Sequence, residues 1–72
     1  MKLKINGKEE TIEKETLTVS DLLAVKEVKM PEMVTVELNG DILDREQFSS
    51  QAVTENDEIE FLYFMGGGQI GL

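Results

Sequence analysis

The chain has 72 residues, no cysteine and no histidine, and its 15 acidic and 7 basic side chains give a formal net charge of −8. A chain of this length forms one small domain, which buries only about 60% of the surface that the unfolded chain exposes, and without cysteine it has no disulfide bond. The lack of histidine removes the usual acid or base near neutral pH and the usual nitrogen ligand of zinc, which argues against an enzyme and against a zinc site.

The acidic charge is spread from Glu9 to Glu60 rather than gathered in a tail. Such a surface repels phosphate groups, so we expect neither a nucleic acid nor an anionic membrane as a partner. It favours basic protein partners, although an acidic surface also serves simply to keep a small domain soluble and monomeric. We see no apolar segment long enough for a signal peptide or a membrane span, which indicates a cytoplasmic protein. The acidic surface favours a protein that is a monomer on its own.

The N-terminal segment predicts a β-hairpin. Leu3 and Ile5 alternate with lysines, and Asn6-Gly7 suits a tight turn because both residues tolerate positive φ. The chain then returns over residues 9–14, in a strand that we expect to lie at the edge of the sheet. A two-residue turn pairs Leu3 with Glu10, so either Glu10 lies at the rim of the sheet or the loop is longer than two residues.

One helix follows, and its capping residues mark where it begins. Thr18 and Asp21 have the spacing of a capping box, in which each side chain accepts a hydrogen bond from the other residue's backbone amide. Pro31 stops the helix, since the residue before a proline is pushed out of helical backbone angles, and we expect the helix to end by about Lys29. The helix face that covers the sheet is predicted to consist of Val19, Leu22 and Leu23.

A strand, a short strand and a helical turn are predicted after the proline. Alternating apolar residues over 34–38 predict a half-buried strand, which Asn39-Gly40 closes with a second tight turn. Residues 42–43 predict the short strand. Residues 44–48 then leave room for one helical turn with Phe48 pointing inward.

The last strand is predicted from a run of apolar and aromatic residues. Alternation gives this strand a core face, formed by Ile59, Phe61 and Tyr63. Leu62 and Phe64 then lie on the opposite face, where apolar side chains suit partner docking and each contributes roughly 1.5 to 3 kcal/mol when buried. The alternative is that Leu62 and Phe64 pack under the loop around Phe48 and complete a second small core.

The chain ends in a glycine-rich segment. The three glycines Gly66-Gly67-Gly68 lose too much backbone entropy on ordering to form a strand or helix unless another molecule holds them. We therefore expect a domain of residues 1–65 and a flexible tail of residues 66–72. Because glycine has no Cβ, such a tail can enter a narrow cleft of another protein, whereas the alternative is a chain end with no role.

Five segments form, in order and spacing, a pattern that spans nearly the whole chain: Ile5-Asn6-Gly7, Leu17-Thr18-Val19-Ser20-Asp21-Leu22-Leu23, Val36-Glu37-Leu38-Asn39-Gly40-Asp41-Ile42-Leu43-Asp44-Arg45, Asp57-Glu58-Ile59-Glu60 and Gly66-Gly67-Gly68. The pattern resembles the α+β fold called ubiquitin-like β-grasp, in which a mixed ββαββ sheet packs on one helix and the last strand runs parallel beside the first. It resembles most closely the thiamine-biosynthesis sulfur carrier family, known as ThiS.

The resemblance implies a protein that performs no catalysis and binds no cofactor stably. In this family a ThiF-like adenylating enzyme uses ATP to activate the carboxylate of the last glycine, and a sulfur donor then replaces AMP. The resulting thiocarboxylate delivers its sulfur to thiazole synthase. By this likeness the sulfur-carrying terminus is Gly67 and Gly68, and the tail and partner-docking residues are Leu62, Phe64, Met65 and Gly66.

The chain departs from the family at its end. Carriers of the family end at their glycines, whereas Gln69-Ile70-Gly71-Leu72 follows here and holds the Gly68 carboxylate in a peptide bond. We therefore expect a processing protease to remove these residues. Some related carriers serve cysteine, homocysteine or methionine synthesis after a metalloprotease removes a short C-terminal extension. Thiamine is therefore only one possible destination of the sulfur. Outside the carriers, the alternative is a ubiquitin-like interaction module with an idle tail.

Overall fold

The computed structural model describes residues 1–63. Within them the chain forms seven strands and one α-helix: β1 Lys2–Ile5, β2 Lys8–Thr11, β3 Leu17–Thr18, α1 Val19–Val25, β4 Val34–Leu38, β5 Asp41–Ile42, β6 Ala52–Val53 and β7 Glu58–Tyr63. Single turns of 3₁₀ helix precede β4 at Pro31–Met33 and follow β5 at Arg45–Gln47. The second of these is the helical turn predicted after the short strand.

The main sheet has five strands in the order β2-β1-β7-β4-β5. β1 and β7 run parallel, with Ile5 opposite Ile59, and the other neighbouring strands run antiparallel. A parallel pair requires a crossover connection, which the chain between β1 and β7 provides. The mixed sheet on one helix, with the last strand beside the first, confirms the predicted ubiquitin-like β-grasp fold.

The β1–β2 hairpin has the strict two-residue turn. Leu3 lies opposite Glu10, and the turn residues Asn6 and Gly7 have φ values of 50° and 85°, as in the mirror-image turns that match strand twist. Glu10 is half-buried and forms an ion pair with Lys26 at the end of α1. Glu10 therefore lies at the rim of the sheet, which was the first of the two predicted alternatives. β2 is an edge strand, as predicted.

α1 begins at the predicted capping box. The Thr18 hydroxyl accepts a hydrogen bond from the Asp21 amide, and the Asp21 carboxylate accepts one from the Thr18 amide, both at 3.1 Å. α1 has seven residues. Within residues 1–63 we find no helix that could span a bilayer.

α1 ends at Val25, four residues before the predicted limit of about Lys29. Glu27 adopts a left-handed φ of 53°, and the Val28 amide donates to the Leu23 carbonyl at 3.0 Å. This is a Schellman motif, which most often has glycine at the left-handed position. The helix therefore ends within the predicted limit, but the left-handed backbone of Glu27, and not the following proline, ends it.

Glycine in place of Glu27 is expected to stabilise the protein by about 1 kcal/mol, because a left-handed backbone costs an L-residue roughly 1–2 kcal/mol. The midpoint and slope of urea unfolding measure the change in the free energy of unfolding. Glu27→Ala is the matched control, since it removes the same charge and keeps the Cβ. Equal stabilisation by both variants would assign the effect to charge and contradict the backbone argument.

The core lies between α1 and the inner face of the sheet. Its largest fully buried side chains are Leu3, Val19, Leu22, Val34, Val36 and Ile59. The predicted helix face is buried, and Phe48 points inward with 6% of its surface exposed. Tyr63 is half-buried at the margin of this core.

A small second sheet is absent from the sequence prediction. β3 and β6 pair antiparallel, with Leu17 opposite Val53. The Val19 amide donates to the Gln51 carbonyl at 3.0 Å beside them, so this sheet fastens the start of α1 to the segment that leads into β7. Each strand has only two residues, which is too few for alternation to be recognised.

Candidate functional site at the C-terminal end of β7

The residues assigned to the function lie at and beyond the end of β7. Leu62 belongs to this strand. The other assigned residues lie outside the described residues, namely Phe64, Met65, Gly66, Gly67 and Gly68. The division into a domain of residues 1–65 and a tail of residues 66–72 therefore stays a prediction. The described residues include the strand β7 with its neighbours β1 and β4, which we call the platform.

Among residues 1–63, the end of β7 has a backbone neighbour on only one side. β4 accompanies β7 as far as Tyr63, which lies opposite Val34. The pairing with β1 stops at Ile59, because the chain turns away at Asn6-Gly7. On that side a groove of about 460 Å³ borders the last residues of β7.

Two asparagines from the tight turns hold β7 through their side chains. The Asn6 side-chain oxygen accepts a hydrogen bond from the Phe61 amide at 2.8 Å, and the Asn39 side-chain oxygen accepts one from the Glu58 amide at 2.9 Å. Sequence reasoning identified both asparagines as turn formers and as parts of the family pattern, but not as partners of β7. No local pattern indicates the first contact, since its partners are 55 positions apart.

The segment before β4 supports the end of β7. The Tyr63 hydroxyl donates to the Lys29 carbonyl at 2.6 Å. Arg45 donates from its two terminal nitrogens to the carbonyls of Pro31 at 2.6 Å and Val34 at 2.8 Å. Sequence reasoning used Arg45 only as part of the family likeness, and the structure shows that it ties the helical turn after β5 to the segment beside Tyr63.

Leu62 lies on the outer face of the sheet, away from the core. It is half-buried and lies opposite Thr35 of β4. Phe48 belongs to the core cluster, and within the described residues Leu62 is not among the side chains packed against that cluster. The alternative of a second small core under Phe48 therefore does not hold for Leu62, whereas its role in docking stays a prediction.

Carboxylates lie next to Leu62 on the same face. Glu37 of β4 lies directly opposite Glu60 of β7, and like charges in that position destabilise a sheet. The stability of the domain therefore does not explain this pair. A sheet face that combines a partly exposed leucine with paired carboxylates suits contact with a basic protein surface.

Comparison with known proteins gives a consistent result. The model of the ThiS family matches residues 3–68. The sulfur carrier protein ThiS of Bacillus subtilis (strain 168) is 36% identical over 66 residues, which cover 92% of this chain and 98% of that protein.

Two solved structures from Geobacter metallireducens are also similar. A crystal structure of the thiamine biosynthesis protein ThiS has a TM-score of 0.89 and 51% identity, and the match covers 94% of this chain and 100% of that one. A solution NMR structure of a thiamine biosynthesis protein has a TM-score of 0.79 and 48% identity, and that match covers 100% of this chain and 94% of the other.

Proposed function

The chain belongs to the ThiS family, and on this premise we propose that it carries sulfur for thiamine thiazole synthesis as a thiocarboxylate on Gly68. The carrier forms once Gln69-Ile70-Gly71-Leu72 is removed by a protease. The observation that carries the proposal is that the family match ends at residue 68, the last of the three consecutive glycines. The four residues that block this carboxylate lie outside the match.

The proposed chemistry takes place in a partner. A free carboxylate is a poor electrophile, so the ThiF-like adenylating enzyme lets the Gly68 carboxylate attack the α-phosphorus of ATP, and pyrophosphate leaves. A sulfur nucleophile then attacks the acyl carbon, a C–S bond forms, and AMP leaves. The chain binds neither ATP nor another cofactor in this scheme, and thiazole synthase receives the sulfur.

The platform supports a scheme in which the partner performs the chemistry and this chain presents the carboxylate. β7 is central in the sheet. β4 pairs with it as far as Tyr63, and the Asn6 side chain holds the Phe61 amide on its other side. A strand held in this way presents the following residues from a defined position. Leu62, Glu37 and Glu60 then provide a surface on which the adenylating enzyme can dock beside the tail.

Alanine in place of Leu62 is expected to weaken binding to the adenylating enzyme by about tenfold, because the variant buries less apolar surface at the interface. The free energy of unfolding should change by less than about 1 kcal/mol, since Leu62 lies outside the core. Calorimetric titration and urea unfolding measure the two effects. Val25→Ala is the matched control, because Val25 is 42% exposed on α1. A large loss of stability with unchanged affinity would contradict the docking role.

The proposal is tested by loading the carrier in vitro. The chain ending at Gly68 and the intact chain are incubated with ATP, the adenylating enzyme and hydrosulfide, and their masses are measured. We expect sulfur to replace one oxygen in the trimmed chain and no change in the intact chain. Bacillus subtilis ThiS is the positive control, and conversion of that protein without conversion of the trimmed chain would overturn the proposal.

The extension after the glycines favours a second destination for the sulfur. Carriers with a short removable extension resemble this chain in that respect, and they serve cysteine- or methionine-type biosynthesis. The two destinations differ in the acceptor, so the loaded carrier is offered in turn to thiazole synthase and to an amino-acid synthase of that type. Transfer of sulfur only to the amino-acid precursor would select the second destination. A chain that is never loaded would instead favour the interaction module.

A further inference from the structure

We propose that Asn6 is a positioning residue for the C-terminal tail. Its side chain holds β7 at Phe61, two residues before the strand ends, and thereby helps to set the direction in which the tail leaves the sheet. This inference rests on the proposed function, because it matters only if a partner must receive the tail. The contact itself is a property of the fold and is measured separately.

The side chain of Asn6 extends the sheet beyond the end of β1. The Asn6 amide donates to the Ile59 carbonyl at 2.9 Å, which is the last contact between the backbones of β1 and β7. The Asn6 side-chain oxygen then accepts the next amide of β7 on that side, from Phe61, at 2.8 Å in a partly buried position. One residue therefore supplies two consecutive rungs of the ladder, the second from its side chain.

The turn alone does not require this side chain. Asn6 has a φ of 50°, a conformation that glycine adopts at least as readily as asparagine. Asparagine and aspartate tolerate this backbone and also carry an oxygen that accepts a hydrogen bond. The side-chain oxygen therefore goes beyond what the turn requires, and it is used on the strand that leads to the tail.

The second tight turn provides an internal comparison. Asn39 has a φ of 52°, and its side-chain oxygen accepts the Glu58 amide at 2.9 Å. The chemistry is the same, but the contact lies at the start of β7, away from the tail. Loss of the Asn39 contact weakens the anchoring of the strand without releasing its C-terminal end.

Beyond Ile59, one edge of β7 is no longer paired with β1. β4 still pairs with β7 as far as Tyr63 when the Asn6 contact is lost, but the groove of about 460 Å³ next to Phe61 and Tyr63 leaves room for the opposite edge of β7 to twist. A tail with a variable exit direction loses more conformational entropy when a partner cleft binds it. Asn6 therefore lowers the concentration of carrier that the adenylating enzyme needs, while the chemical step stays the same.

Three variants of the chain ending at Gly68 test the inference: Asn6→Gly, Asn6→Asp and Asn39→Gly. Adenylation is measured by pyrophosphate release at varied carrier concentration, and exchange of the Phe61 amide is measured by NMR. Asn6→Gly is expected to raise KM for the carrier by roughly threefold to tenfold and to speed Phe61 exchange by about tenfold. Its kcat should stay within about twofold, because the reacting carboxylate is unchanged.

The controls separate positioning from stability. Asn6→Asp keeps both the backbone preference and an acceptor, so its KM should stay within about twofold of the unsubstituted chain. Asn39→Gly should lower the melting temperature and leave KM unchanged. Faster Phe61 exchange in Asn6→Gly with an unchanged KM would overturn the inference, and so would an equal rise in KM for Asn39→Gly. Failure of the unsubstituted trimmed chain to be adenylated would refute the proposed function first, and this inference with it.

Discussion

Alanine in place of Gly68, in the chain that ends at this residue, is expected to lower kcat/KM for adenylation by about a hundredfold. The added methyl group lies next to the reacting carboxylate, and a displacement of about 1 Å at a reacting centre costs about that factor. A methyl group at this position also obstructs a cleft narrow enough to select glycine. Pyrophosphate release under steady-state conditions measures the effect.

The neighbouring glycines provide the matched controls for this substitution. Gly66→Ala places the same methyl group further from the carboxylate, so we expect less than about a tenfold loss. Gly67→Ala should fall between the two. A larger loss for Gly66→Ala than for Gly68→Ala would contradict Gly68 as the working terminus, and equal activity in all three variants would contradict a narrow cleft.

Alanine in place of Ile59 is expected to lower the free energy of unfolding by about 3 kcal/mol. Ile59 is fully buried and lies in β7 opposite both Ile5 and Leu38, so the substitution leaves a cavity where three strands meet. A loss of this size is a large share of the roughly 5 to 15 kcal/mol that holds a natural domain together. Urea unfolding followed by circular dichroism measures it.

Ile42→Ala is the control for this second prediction. It removes the same atoms from a side chain that is 66% exposed, so the free energy of unfolding should change by no more than about 0.5 kcal/mol. A similar loss for both variants would contradict the position of the core between α1 and the inner face of the sheet. Ile59→Ala should also lower carrier activity only in proportion to its unfolded fraction.

Those parts of the fold that depend on a few neighbouring residues could be predicted from the sequence. Asn6-Gly7 and Asn39-Gly40 form tight turns because both residues of each pair tolerate positive φ. Thr18 and Asp21 cap the helix through bonds within a single turn. The placement of Leu62 on the outer face follows from alternation alone.

Features that depend on distant contacts could not be predicted. The pairing of β3 with β6 joins two-residue segments that are far apart in the chain. The hydrogen bond between Asn6 and Phe61 likewise has no local signal. The residue that ends α1 was missed for another reason, since Glu27 occupies a left-handed position that normally selects glycine.

The candidate site likewise has one part that the sequence predicts and another that it does not. The glycine tail is recognised from composition, whereas the choice of Gly68 as the working terminus rests on likeness to a family and agrees with a family match that ends at residue 68. Neither composition nor spacing can distinguish three adjacent glycines. The platform at the end of β7 required the structure, because strands β1, β4 and β7 contribute to it from distant parts of the chain.

The central claim is that a blocked glycine terminus is uncovered and loaded with sulfur. The mass of the intact protein, purified under non-reducing conditions from its native cell during growth without thiamine, tests this claim most directly. We predict a species that ends at Gly68 and carries sulfur in place of one carboxylate oxygen. Exclusive recovery of the chain ending at Leu72, in cells that contain the adenylating enzyme, would contradict the account.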